Sequence, residues 1–230
     1  MNIDAAYTRW ADRYDSDRNL TRDLDASATA AVLGARRFAM TIEAGCGTGK
    51  NTPFLASISA AVLALDFSAG MLARAQQQVH APHVQFQQAD LLETWPCATG
   101  AAALVTCNLV LEHIEALAPI FREAARVLAP HGHFFLSELH PYRQYQGSQA
   151  RFVDDDGSLI QIQAYTHHLS DFVHAAADAG FQIERLDEWW HVEDAGQPPR
   201  LLSLLFRLEN VKATAPGRAP GSETRAGSSG

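Results

Sequence analysis

Cysteine is scarce: the 230 residues contain only Cys46, Cys97 and Cys107, widely separated and without a CxxC pair. This excludes a disulfide framework and a thiolate zinc site, and the three are read as reduced thiols. Long apolar runs are missing as well. The first residues, MNIDAAYTRWADRYD, carry charge throughout and lack the apolar core of a secretory signal. No later stretch reaches the roughly 18 consecutive apolar residues of a membrane span. A cytoplasmic protein without membrane contact is the expectation. Positive charge is also short, with 18 Lys and Arg against 26 Asp and Glu and a formal net charge of −8. Without a broad basic surface to neutralise phosphates, nucleic acid is excluded as a substrate. The ten histidines include His131 and His133 around Gly132, and the adjacent His167 and His168, which invite a metal reading. Only Asp171, three residues after His168, stands at a ligand-like spacing, so no metal is expected.

What the chain does have is apolar content, 47% of residues, enough for one buried core. Residues 5–33 place Tyr7, Trp10 and Tyr14, then Leu20, Leu24, Ala28 and Val32, at helical spacing, which predicts two amphipathic helices before any strand. From Phe38 onward short apolar runs alternate with helical stretches. AMTIEAG, AVLALD, VQFQQAD, AALVTCN and GHFFLSEL read as strands, with helices between them over Phe54 and Leu55, Ser68–Val79 and Ala116–Leu128. Alternation of this kind is the signature of βαβ units and a parallel sheet covered on both faces. Pro130 and Gly132 punctuate the end of the 116–128 helix. Beyond His140 a hairpin turning at Asp155–Gly157 reads as an insertion, followed by a helix over Ser170–Ala179. The strands FQIERLDEWW and RLLSLLFRLEN, joined by an AGQPP turn, then suit an antiparallel edge. The expected organisation is one domain over 1–211, with an insertion over 140–165. Residues 212–230, rich in Gly, Ala, Pro and Ser, are expected to form a disordered tail.

Glu43, Ala44, Gly45, Cys46, Gly47, Thr48 and Gly49 follow the first strand and precede a helix, the context a nucleotide-binding glycine loop requires. A Walker loop needs four residues between its first Gly and the Gly-Lys pair, and here three separate Gly45 from Gly49 and Lys50. A dinucleotide fingerprint needs Gly or Ala where Lys50 stands. Asp66, 21 residues after Gly45 at the end of the second strand, is placed to accept from both ribose hydroxyls of a nucleoside. Asp90, closing QQAD, is placed to accept from an adenine amino group with Leu91 beside the ring. Each acid has a plainer reading as a helix or turn cap.

EAGCGTGKNT, LDFSAGML, QQADLLE, CNLVLEHI and RVLAPHGHFFLSE, in this order and spacing, resemble the successive motifs of class I S-adenosylmethionine-dependent methyltransferases over residues 41–140. The resemblance implies a Rossmann-like, doubly wound α/β fold with a seven-stranded, mostly parallel sheet in the order 3-2-1-4-5-7-6, strand 7 antiparallel. It implies S-adenosylmethionine as cofactor, with Gly45, Cys46, Gly47 and Thr48 around the methionine part and Asp66 on the ribose. It further implies Phe67 and Met71 near the adenosine, Asp90 and Leu91 at the adenine, and Asn108, Leu109 and His113 alongside the sulfonium. Packing is an equal alternative for Met71 and Leu109. In similar methyltransferases the segment before the first strand closes over the cofactor, which makes residues 1–36 a lid and Tyr14 and Arg18 cofactor contacts. The plainer reading of Tyr7, Trp10 and Tyr14 is a packing face.

Ligands in such sheets lie beyond the carboxyl ends of the strands, so an acceptor would meet Tyr7, Trp10, Tyr142, Arg143 and His167. His140, His113 and Glu112 are the candidate proton acceptors, although each also fits a structural role. The expected reaction is in-line methyl transfer to N or O of a small aromatic or heteroaromatic metabolite, by a monomer or homodimer. The competing readings are a non-catalytic cofactor-binding or partner-regulating subunit and a nicotinamide-dependent oxidoreductase.

Overall fold

The computed structural model describes residues 18–148, 151–153, 159–161 and 163–209. The expected first helix with Tyr7, Trp10 and Tyr14, the hairpin turn at 155–157 and the tail 212–230 lie outside the described residues.

Helix α1 (Leu20–Leu33) opens the described chain, with the Asn19 side chain accepting from the backbone N–H groups of Thr21 and Arg22. Strand β1 (Thr41–Ala44), α2 (Thr52–Ile58), β2 (Val62–Asp66), α3 (Ala69–Gln78), β3 (Val84–Gln88) and β4 (Ala102–Asn108) then alternate. They are followed by α4 (Ala118–Val127), β5 (Leu128–Leu139), α5 (Pro141–Tyr145), the hairpin β6 (Arg151–Val153) and β7 (Leu159–Gln161), α6 (Leu169–Asp178), β8 (Phe181–Trp189) and β9 (Leu201–Leu208). The seven-stranded sheet runs β3-β2-β1-β4-β5-β9-β8. Only β9 is antiparallel to its neighbours, so the sheet has the 3-2-1-4-5-7-6 order once the small hairpin is set aside.

Strands β1 and β2 are buried at every position, as expected for central strands covered on both faces. Alternation along the strands divides the core. Phe134, Leu204 and Phe206 face α4 and α6, where Phe121, Phe172 and Phe181 join them. Phe135 and Leu205, one residue out of phase, face α1 and α2 with Leu33, Leu55 and Ile58. Rings of Phe121, Phe134 and Phe206 meet edge-on or tilted at 5.2 to 6.2 Å between centroids. Truncating one of them to Ala would cost about 3–5 kcal/mol.

Two boundaries differ from the sequence reading. Strand β5 begins at Leu128, because Pro130–Gly132 form an irregularity inside it, with His131 at φ 64 and a register shift against β4, instead of separating helix from strand. Between β8 and β9 a short 3-10 turn, Val192–Asp194, precedes the Gly-Gln-Pro-Pro segment. Among the described residues no helix is long and apolar enough to cross a membrane.

Candidate functional site

At the carboxyl ends of β1, β2 and β4 the chain turns away from the sheet, and one cavity opens among the loops that follow. The glycine loop forms its floor. Gly45 has φ +79, and a side chain there would begin 2.3 Å from Val110 Cγ2, so the residue joins the two loops at a distance only glycine tolerates. Gly47, at φ +54, is different: nothing lies within 4 Å of where its Cβ would be. Its bare backbone lines the cavity.

Asp66 is 6% exposed and its two carboxylate oxygens are already engaged, Oδ2 accepting from Gly47 N–H at 2.8 Å and Oδ1 from Ser68 N–H at 2.9 Å. The capping and cavity-facing roles therefore coexist in one side chain, which also ties β2 to the glycine loop. Asp90 caps the following turn through Leu92 N–H at 2.9 Å and lines the same cavity. Gly45, Cys46, Gly47, Thr48, Asp66, Phe67, Met71, Asp90, Leu91, Asn108, Leu109 and His113 are all brought to this cavity.

The opposite wall comes from residues that the sequence reading did not single out. Helix α1 contributes Arg22 and Asp25, and the loop-to-α2 segment contributes Lys50 and Asn51. Asp25 accepts from Asn51 Nδ2 and from Asn108 Nδ2, each at 2.8 Å, and Asn108 also donates to Thr29 Oγ1 at 2.9 Å. Glu43 takes a 2.6 Å hydrogen bond from Thr52 Oγ1. Burial pushes its carboxyl up to about 8, and burial likewise raises Asp25. The available signal was Arg22, Asp25 and Thr29 at i, i+3 and i+7 of an otherwise amphipathic helix, a polar stripe on its buried side.

The loop after β4 is held under constraint. Leu109 sits at φ 56, an uncommon conformation for a non-glycine residue, and its N–H donates to Ser137 O at 2.8 Å. Glu138 Oε1 accepts from Val110 and Leu111 N–H at 3.1 and 2.9 Å. Burial raises the Glu138 carboxyl well above its ordinary range. In the 3-10 turn Leu111–His113, His113 Nδ1 lies 3.2 Å from Gln163 O, and Glu112 Oε1 lies 3.7 Å from His113 Nε2. Burial raises Glu112, opposed by the His113 charge.

Other sequence candidates are placed elsewhere. His140 does not line the cavity: Nδ1 accepts from Tyr142 N–H at 3.1 Å and caps α5, and Nε2 stands 3.0 Å from Glu188 Oε1. Arg143 donates to the Pro198 and Pro199 carbonyls and pairs with Asp194 at 3.0 Å. Asp194 is held down to about 2, chiefly by its hydrogen bonds from Arg200. His167 is buried, with Nε2 2.8 Å from Ile114 O and 3.1 Å from Leu111 O, so it braces the His113 turn from behind. Tyr142 is exposed on α5, and Arg18 pairs with Glu193 at the surface. Among the described residues no group of three His, Cys, Asp or Glu is arranged to hold a metal ion.

A methyltransferase-domain family model matches residues 42–136. An uncharacterized methyltransferase of Emericella nidulans is 29% identical over 87% of this chain and 82% of its own length. The malonyl-[acyl-carrier protein] O-methyltransferase of Yersinia pestis is 31% identical over 74% of this chain and 68% of its own length. The chain spans half the length of the corresponding Enterobacter lignolyticus enzyme, to which it is 38% identical over 130 residues. Among solved structures, the DhpI complex with SAM and HEP superposes with a TM-score of 0.69 at 24% identity, covering 88% of this chain and 94% of that one.

Proposed function

This chain belongs to the class I S-adenosylmethionine-dependent methyltransferases, and from that premise we propose that it methylates an oxygen atom of a small aromatic or heteroaromatic molecule. The observation that carries the reading is the convergence of the glycine loop, Asp66, Asp90 and His113 on one cavity. Those residues suit the cofactor: a bare Gly47 backbone leaves room for a ligand, and Asp66 and Asp90 bring carboxylate oxygens to the cavity as acceptors for hydroxyl and amino groups. In this reading Asp66 takes the ribose hydroxyls and Asp90 the adenine amino group, between Phe67, Met71 and Leu91. Gly45, Cys46, Gly47 and Thr48 hold the methionine part, and Asn108, Leu109 and His113 border the reacting end. Oxygen is favoured over nitrogen because the Yersinia pestis relative is an O-methyltransferase by name. A flat acceptor is inferred from Tyr142 and Tyr145, exposed on α5 just beyond β5, although neither lines the cavity itself. The net charge of −8 supports a small molecule over nucleic acid.

S-adenosylmethionine supplies a methyl group already activated by its sulfonium, so the protein's task is alignment, exclusion of water and removal of one proton. His113 is the proton acceptor in this reading. Donation from Nδ1–H to the Gln163 carbonyl puts the imidazole lone pair on Nε2, and Glu112, 3.7 Å away, then faces the imidazolium that forms. Turnover to S-adenosylhomocysteine with a panel of phenols, hydroxy-heterocycles and matched amines tests the acceptor. Oxygen acceptors are expected to turn over, and exclusive methylation of amines would overturn the assignment. His113→Ala should lower kcat by about a hundredfold, a far larger effect than its change in cofactor affinity. An unaltered kcat removes His113 from the reaction.

A further inference from the structure

A second hollow lies at the other end of the sheet, where β8 begins and β9 ends, and it shares no residue with the cofactor cavity. Strand register builds its floor. His133 of β5 is paired with Arg207 of β9, and Arg207 with Gln182 of β8, so three polar side chains stand in a row across adjacent strands on one face of the sheet. Ile183 supplies an apolar wall. His131 reaches the hollow from the left-handed turn inside β5, a conformation uncommon for a residue with a side chain. The hollow measures about 550 Å³, the size of a small-molecule site.

Part of the lining already satisfies itself. Arg36 pairs with Glu184, and His133 Nε2 stands 3.0 Å from both Arg36 Nη1 and Glu184 Oε2. Burial, together with the charges of Arg36 and Arg207, holds that imidazole below its ordinary value against the pull of Glu184. Arg207 is the remaining cation. Its ion pair among the described residues is with Glu209, 3.5 Å away at the surface and outside the hollow, and an exposed pair of that length holds a guanidinium weakly. Among the described residues no hydrogen bond engages the His131 ring or the Gln182 side-chain amide. With Arg36 and Glu184 cancelling, Arg207 leaves the hollow one surplus guanidinium charge, which matches a ligand with a single negative charge. We propose that the hollow binds a small organic carboxylate, the planar fork of Arg207 taking both oxygens, Gln182 donating a further hydrogen bond and Ile183 covering the apolar part. A phosphate dianion would bring a second charge that no further cation of the lining matches. The chain beyond β9 has the wrong sign to fill the hollow, with Lys212, Arg218 and Arg225 against Glu223.

The test uses the full-length chain and reads dissociation constants by calorimetry. Benzoate is the probe, benzamide its neutral counterpart and inorganic phosphate the rival anion. Benzoate should bind at one saturable site, with benzamide weaker by about tenfold or more and phosphate weaker than benzoate. Arg207→Met should weaken benzoate about tenfold or more, and Gln182→Ala about two- to tenfold. Both variants should keep S-adenosylmethionine affinity within about twofold of the parent, because the two cavities share no residue. Saturating S-adenosylmethionine should leave benzoate affinity unchanged. Loss of benzoate binding when the cofactor is added would place the probe in the cofactor cavity and overturn the proposal. An Arg207→Met variant that binds benzoate normally, equal affinity for benzamide, or no saturable binding would overturn it as well. Phosphate binding tighter than benzoate would overturn the assignment to a carboxylate. Arg207→Gln and Gln182→Leu give the same readout if a first variant fails to fold.

Discussion

The two ends of the cavity are built in opposite ways. At the Asp66 and Asp90 end, the one proposed for the nucleoside, each acid takes a backbone donor two residues on, Ser68 N–H and Leu92 N–H, and Asp66 adds a single longer-range bond from Gly47 N–H. At the α1 end the bonds join side chains remote in sequence: Asn108 to Asp25 across 83 residues, Asn51 to Asp25 across 26, with Glu138 holding the backbone of Val110 across 28. The first end is built mostly from local turns, joined to the glycine loop by the one bond from Gly47 N–H. The second exists only after α1 has docked on the sheet, so it should be the more sensitive to packing and to pH.

The sharpest way to break this comparison is at the junction of the halves. Gly45→Val places a branched side chain against Val110 in a left-handed conformation, which adds about 1–3 kcal/mol of backbone strain to the clash. Cofactor binding should be abolished in calorimetry, with a clear fall in melting temperature; a normal variant would mean the two loops are not locked together. Next in size is the nucleoside end itself. Asp66→Ala removes a charged acceptor from ligand and from Gly47 N–H, and should weaken S-adenosylmethionine binding by about 1.5–3 kcal/mol, tenfold or more. An unchanged dissociation constant would sink the ribose assignment.

At the α1 end the expected effect is on stability. The Glu43 carboxyl is raised from 4.5 to about 8, so its neutral form is the one the folded protein favours. Its contribution is fully present below pH 4.5 and is lost as pH rises through 8. The ligand-free protein should therefore melt progressively lower between these values, and Glu43→Gln should flatten that slope. A slope unaltered by the substitution would assign the pH dependence to Asp25 or Glu138, which burial also raises. The smallest effect belongs outside both halves. His140→Ala should leave kcat and cofactor affinity alone and cost about 1 kcal/mol through loss of the α5 cap, seen as a small drop in melting temperature. A large fall in kcat would bring His140 back as a proton acceptor.

Legibility followed the same division. The alternation of strand and helix, the glycine loop and the strand-end acids were readable because each depends on residues close in sequence. Pro130 and Gly132 misled about the start of β5, since signals that usually end an element here bend one that continues. His140 read as a site residue because it follows a strand, but Glu188 on the neighbouring edge strand engages its ring, and that partner is visible only in the folded sheet.

What the sequence by itself determined was the class of fold, the family and the placing of the glycine loop and the strand-end acids Asp66 and Asp90, because periodicity and short motifs are local properties of the chain. What the tertiary structure alone decided was which face of α1 looks inward, and with it the placing of Arg22 and Asp25 on the lining of the cavity. It also decided the burial that raises Glu43, Asp25 and Glu138. A helix can carry polar residues on its inner face for many reasons. Only the docked partners Asn51 and Asn108 turn Asp25 from a misplaced charge into a fixed one, because a carboxylate leaves water only where other donors replace it.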